Sequence, residues 1–165
     1  MRGAVGLLGV LSARQMGAER IIAMSRHESR QKLAREFGAT DIVTERGDEG
    51  VERIKELTDG VGADSVLECV GTPESMMQAI RATRPGGSVG YVGVPHGVAL
   101  DGEKLFYAHV HLHGGPAPVR RFLPELIDSL RIGCPRITNG IHHDPLLTRS
   151  GQPTQKHTTS YTPHT

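Results

Sequence analysis

The sequence has little of what most readily announces a function. Its 165 residues hold two cysteines, Cys69 and Cys134, and no Cys-x-x-Cys pair. That excludes a disulfide framework and the usual cysteine-built zinc sites, and makes a reducing, cytoplasmic setting the expectation. Charge of neither sign is in excess: 19 Lys and Arg face 18 Asp and Glu, for a net +1. Neither nucleic acid nor a membrane surface is therefore an expected partner. Long apolar runs are missing too, and no stretch could span a bilayer. The run from Gly3 to Leu11 behind Met1-Arg2 has the outline of a signal peptide. Its glycines at 3, 6 and 9 weaken it, and Leu11-Ser12-Ala13 is not a small-x-small cleavage pair. Apolar residues reach only 37%, while 21 Gly and 10 Pro are present. This mixture fits a globular α/β part joined to polar, turn-rich chain.

What is there alternates. Residues 5–16 read as a helix entered through a glycine turn and closed by Gly17-Ala18. Residues 20–25 are a compact apolar run suited to a strand buried on both faces. The spacing predicts a helix over 28–37, with Leu33, Ala34 and Phe37 on one face and Gly38 as its stop. A strand over 41–44 and a short helix carrying Val51, Ile54 and Leu57 follow. Residues 64–70 form the next expected strand, ending at Gly71. Thr72-Pro73-Glu74 then starts a helix, with a capping hydroxyl, a proline in its first position and an acid where the helix dipole favours one. Pro85-Gly86-Gly87 reads as a turn, 88–94 as a strand, and a loop leads to the β-prone stretch 109–113. A last helix is predicted over 119–130. Strands separated by helices imply a parallel sheet. Past Gly133 the periodicity is lost, and the Thr-, His- and Pro-rich remainder reads as disordered. The expected division is a domain over 1–132 and an unstructured polar tail over 133–165.

Gly3-Ala4-Val5-Gly6 supplies the second and third glycines of the Gly-x-Gly-x-x-Gly turn that brings a diphosphate to a helix tip. The first glycine would fall at Met1, and half a fingerprint is by itself common turn chemistry. The end of the following strand carries more information. NAD-binding folds usually place a carboxylate there for the ribose hydroxyls. This sequence has Ser25-Arg26-His27, and a hydroxyl beside a guanidinium suits a 2′-phosphate, which a carboxylate would repel. NADP is thus favoured over NAD, although Arg26 alone reads equally well as a solvated loop residue.

Taken as a set, several segments resemble the coenzyme-binding domain of the zinc-dependent medium-chain alcohol dehydrogenases. They are Gly3-Ala4-Val5-Gly6, the stretch from Ala34 through Gly38-Ala39-Thr40 to Asp41, Gly62-Ala63-Asp64, Glu68-Cys69-Val70-Gly71, Arg84-Pro85-Gly86-Gly87 and Tyr91-Val92-Gly93-Val94. The resemblance implies a Rossmann-type, doubly wound parallel sheet, here lacking its first strand. It also implies that Val70-Gly71 and Val92-Gly93-Val94 lie where two strands end beside the ribose and nicotinamide. The missing strand would be central, between the second and fourth, leaving two strands with unpaired inner edges and a fold of marginal stability. The family's zinc ligands lie in a catalytic domain with no counterpart in this sequence, so no catalytic residue and no metal ligand is assigned. A truncated or frame-shifted reading frame, inactive alone, is the expectation.

Other constellations are weaker. His109, His111 and His113 alternate along an expected strand, which would set all three on one face. Zinc could use such a set, but a partly exposed strand is the commoner meaning. Cys69 reads as a packing residue on a buried strand. The leading expectation is an NADP(H)-binding domain of an oxidoreductase that transfers hydride at an alcohol or aldehyde carbon. A non-catalytic nucleotide-binding or dimerisation module is the alternative, with the strand near 109–115 pairing two copies as the family's does. A methyltransferase shares the glycine turn, but the missing acid after the second strand and the Pro-Gly-Gly turn argue against it.

Overall fold

The computed structural model describes residues 3–131, and the expected tail over 133–165 lies outside them. Helices and strands alternate in the order α1 (Gly3–Gln15), β1 (Ile22–Met24), α2 (Glu28–Phe37), β2 (Asp41–Val43), α3 (Gly47–Leu57), β3 (Ala63–Glu68), α4 (Pro73–Ala82), β4 (Thr83–Tyr91), α5 (Gly102–Ala108), β5 (His111–Gly114) and α6 (Val119–Arg131). All strand pairs are parallel: β1 with β2, and β3 with β4 with β5. This is the doubly wound Rossmann arrangement in two pieces, β2-β1 and β3-β4-β5. The break falls between β1 and β3, with no strand joining them among the described residues.

Two features of the sequence set the helix limits. Gly38 stops α2 at φ 119°, a left-handed conformation that side chains rarely adopt, and its N–H bonds back to Ala34 and Arg35 carbonyls. Thr72 caps α4: the Ser75 N–H donates to its hydroxyl, and the Thr72 N–H donates to Ser75 Oγ in return. Helix α2 keeps both limits that the sequence predicts, and α4 its predicted start.

Packing on the helices unites the two half-sheets. Val10 and Leu11 of α1 meet Ile21, Ala23, Ala34 and Phe37 in one cluster. A second joins Val43, Val51, Ile54 and Ala82, with Ile22 and Met24 of β1 and Ala63 of β3 packed against it. That cluster spans the break. The third, around Met76, Ala79, Ile80 and Val89, lies beneath β3, β4 and β5. Each large apolar side chain buried in this way stabilises by roughly 1.5–3 kcal/mol.

Several details depart from the sequence reading. Helix α1 begins at Gly3, so the glycine pair lies in its first turns instead of preceding it. Pro85-Gly86-Gly87 is a bulge inside β4 and not a turn before it. Ala63 aligns with Thr83 but Ser65 with Ser88, so three extra residues are absorbed, with Gly86 at φ 76°. The expected loop before β5 contains α5. His109 ends that helix in a left-handed conformation, φ 49°, and is not part of β5. The row of three histidines on one strand face is therefore not formed. Cys69 lies just past β3, half-buried, rather than on a buried strand.

Candidate functional site

The carboxyl ends of β1, β2 and β3 open onto one cavity of about 700 Å³. Arg26, His27 and Arg30 reach it from the β1 side, Arg46, Gly47 and Asp48 from β2, and Val70, Thr72 and Ser75 from β3. This is the place where open α/β sheets take ligands. Among the residues singled out by the sequence, Arg26, His27 and Val70 come together here, from segments more than forty positions apart. Ser25 does not line the cavity. It is fully buried below it; its hydroxyl accepts from the His27 N–H at 3.4 Å and its carbonyl from Gln31 Nε2 at 2.9 Å. Ser25 thus shapes the loop that presents Arg26 and His27.

Glu68 shapes the next strand end. It is 3% exposed, and its carboxylate accepts from the Val70 N–H at 2.7 Å, from the Gly71 N–H at 3.0 and 3.1 Å, and from Ser75 Oγ at 2.7 Å. Bending Val70 and Gly71 back onto this side chain takes them out of the ladder, which is why β3 stops at Glu68 and not at Val70. The bend is locked by a second glycine contact. A Cβ on Gly71 would lie 2.5 Å from the Val94 carbonyl oxygen, and one on Gly93 would lie 2.5 Å from the Gly71 nitrogen. Backbone meets backbone there, so no side chain fits. Val92 and Gly93 also donate their N–H groups to the Glu68 carbonyl, at 2.8 and 3.3 Å, ending β4 at Tyr91. The side chains of Val92 and Val94 are left exposed.

The opening glycines are placed differently. Gly6 is buried in α1, as close packing against the sheet requires; Ala4 is partly covered and Val5 exposed. One turn on, a Cβ at Gly9 would stand 3.2 Å from Leu67 Cδ1, which marks where α1 approaches β3.

Electrostatics single out the β1–β2 corner. Among the described residues, neither Arg26 nor Arg46 forms an ion pair, whereas Arg81 in the same cavity is held by Asp48. Partial burial, and then the positive charge of Arg26, lower the pKa of the Arg46 guanidinium. Helices α2 and α3 both begin here without a side-chain cap, in contrast to α4. The sequence reading missed Arg46, since nothing local distinguishes it from a solvated arginine at a helix start. Beside β3, burial and the Glu68 charge raise the pKa of the Cys69 thiol.

A family model described as zinc-binding dehydrogenase matches residues 4–129. The chain belongs to that family. Among its relatives in the zinc-binding dehydrogenase family, it is 35% identical over 78% of its length to an NADP-dependent isopropanol dehydrogenase of Entamoeba histolytica. It is 33% identical, again over 78%, to the zinc-type alcohol dehydrogenase B of Aspergillus flavus. The crystal structure of benzyl alcohol dehydrogenase from Acinetobacter calcoaceticus superposes with a TM-score of 0.71 and 32% identity, covering 90% of this chain and 45% of that one. The chain spans about a third of the length of the two curated relatives, 36% and 31%. What it shares with zinc-binding dehydrogenases is the dinucleotide-binding fold of their coenzyme domain. The metal of the family name has no fitting residues: among those described, no group of three or more His, Cys, Asp or Glu side chains could hold an ion. Nor, among the described helices, is any long and apolar enough to cross a membrane.

Proposed function

We propose that this domain binds NADP(H), in preference to NAD(H), for an oxidoreductase that moves hydride to or from an alcohol or aldehyde carbon. The carrying observation is the corner after β1, where Arg26 and His27 face the strand-end cavity and no carboxylate stands between β1 and Glu28 at the start of α2. A 2′-phosphate is matched by a guanidinium there, and a bare ribose lacks its usual acceptor. In this reading Gly3, Ala4, Val5 and Gly6 hold the diphosphate at the start of α1, while Ser25 supports Arg26 and His27 at the adenosine ribose. Val70, Gly71, Val92, Gly93 and Val94 flank the second ribose and the nicotinamide, and the close Gly71–Gly93 approach leaves the strand tips flat. The coenzyme supplies hydride; this chain's residues orient it and, through Glu68, hold the strand-end backbone still. The Entamoeba relative, an NADP-dependent enzyme, supports the same preference.

Titrating the chain with NADPH and NADH, followed by the fluorescence of the reduced nicotinamide, tests this directly. NADPH is expected to bind at least tenfold tighter; equal affinities, or a preference for NADH, would overturn the NADP assignment. A second reading, a dimerisation module, has its own observation. Strand β5 pairs with β4 on one side and has no strand on the other among the described residues, and Phe106 and Tyr107 stand exposed on α5 nearby in the chain. Sedimentation equilibrium with and without NADPH separates the two, since a dimer that binds no nucleotide favours the second.

A further inference from the structure

Arg26 and Arg46 are twenty residues apart in sequence, at the ends of neighbouring strands, and face one cavity. Among the described residues no carboxylate pairs with either. Partial burial first, and the positive charge of Arg26 second, lower the pKa of Arg46. Two like charges that face one cavity without a counterion are unfavourable, and Asp48, which lines the same cavity, is committed to Arg81. Gly47, directly after Arg46, has open space on its Cα and offers its backbone to the same cavity. The arrangement is complementary to a compact dianion. A phosphate monoester carries about −1.5 to −2 at neutral pH and presents oxygens to two guanidinium forks at once, whereas each diphosphate phosphorus within a dinucleotide carries only one charge.

We propose that Arg46 is a specificity-determining residue that closes on the 2′-phosphate of the adenosine moiety opposite Arg26, making this corner a site for 2′-phosphorylated adenine nucleotides whether or not they carry nicotinamide. This rests on the reading of the crevice as an NADP(H) site and adds to it a residue from a different strand and a wider class of ligand. The second cation explains why the corner needs no buried hydroxyl in contact with the phosphate: Ser25 faces inward, and Arg46 takes the other side.

The test uses the full chain, isothermal titration calorimetry, and two probes that differ by one group, adenosine 2′,5′-bisphosphate and 5′-AMP. The unaltered chain is expected to favour the bisphosphate at least tenfold. Arg46→Gln is expected to reduce that preference to within twofold by weakening the bisphosphate far more than 5′-AMP, and Arg46→Lys to restore part of it, since the charge returns without the fork. The circular dichroism of each variant reports folding. If R46Q keeps the tenfold preference while Arg26→Gln loses it, Arg46 has no part and the NADP(H) reading stands. If the unaltered chain binds NADPH tenfold tighter than NADH yet does not distinguish the two probes, the wider ligand class is wrong. A folded chain that binds none of the four nucleotides overturns both.

Discussion

In the half-sheet of β1 and β2 no residue is exposed, whereas in β3 Asp64, Ser65 and Leu67 all are, Leu67 by 53%. Leu67 is as apolar as anything in β1, so intrinsic hydrophobicity does not account for the difference. The flanks do. β1 and β2 lie between the cluster of α1 and α2 on one side and that of α3 on the other. β3 has α4 beneath it, and on the other face a near approach of α1 at Gly9. The comparison teaches that burial in a layered sheet is decided by how many neighbours a strand has, and that the opening beside β3 is where this fold is least complete.

The largest effect should come from closing that opening. Fusing an apolar, β-branched segment of about five residues ahead of Gly3 should let a strand enter between β1 and β3. Three further buried side chains would add on the order of 5 kcal/mol, raising the melting temperature by roughly 20 °C or more in calorimetry. An unchanged melt would mean that the inner edges accept no strand. Next comes the contrast itself. Phe37→Ala in the sealed half should lose about 3–5 kcal/mol in urea unfolding, while Leu67→Ala should stay within about 0.5 kcal/mol; equal losses would erase the distinction. Within the β3 half, Glu68→Ala should cost about 3 kcal/mol, because the N–H groups of Val70 and Gly71 and the Ser75 hydroxyl lose their acceptor together. Hydrogen exchange should then speed up at the Val70 and Gly71 amides first. The smallest effect is at Cys69. Its folded thiol keeps the proton to higher pH than the unfolded one, so its contribution is present below the ordinary thiol pKa, about 8.5, and is lost as pH rises past it. Peptide-resolved alkylation near that pH should be several-fold slower at Cys69 in the folded chain than in urea; equal rates would show the thiol unshielded.

Much of this was legible in the sequence, for reasons that can be named. The end of α2 and the start of α4 were carried by local chemistry, Gly38 and Thr72-Pro73, that acts whatever surrounds it. The broken strand order followed from the alternation of elements and the family resemblance. Helix α5 was not legible: it is seven residues long, its neighbouring aromatics Phe106 and Tyr107 are exposed, and only Leu105 and Ala108 turn inward. The bulge in β4 was misread because Pro-Gly-Gly has the same composition in a turn and in a strand that must absorb extra residues. At the site, Arg26, His27 and Val70 could be placed by counting along strands. Arg46 and Glu68 could not, since one reaches the cavity from a different strand end than Arg26 and the other acts through amides that its own bend brings within reach.

The meeting of Gly71 with Gly93 has a consequence for how such a domain can be retooled. With backbone against backbone, the two strand tips behave as a weld: neither position tolerates a side chain, and change at one forces change at the other. The arginine corner is built the opposite way, from exposed side chains on separate loops with open space around Gly47. On the proposed reading of that corner, coenzyme preference can be rewritten at Arg26 and Arg46 with the distant end left intact, so the domain is adjustable at one pole and fixed at the other.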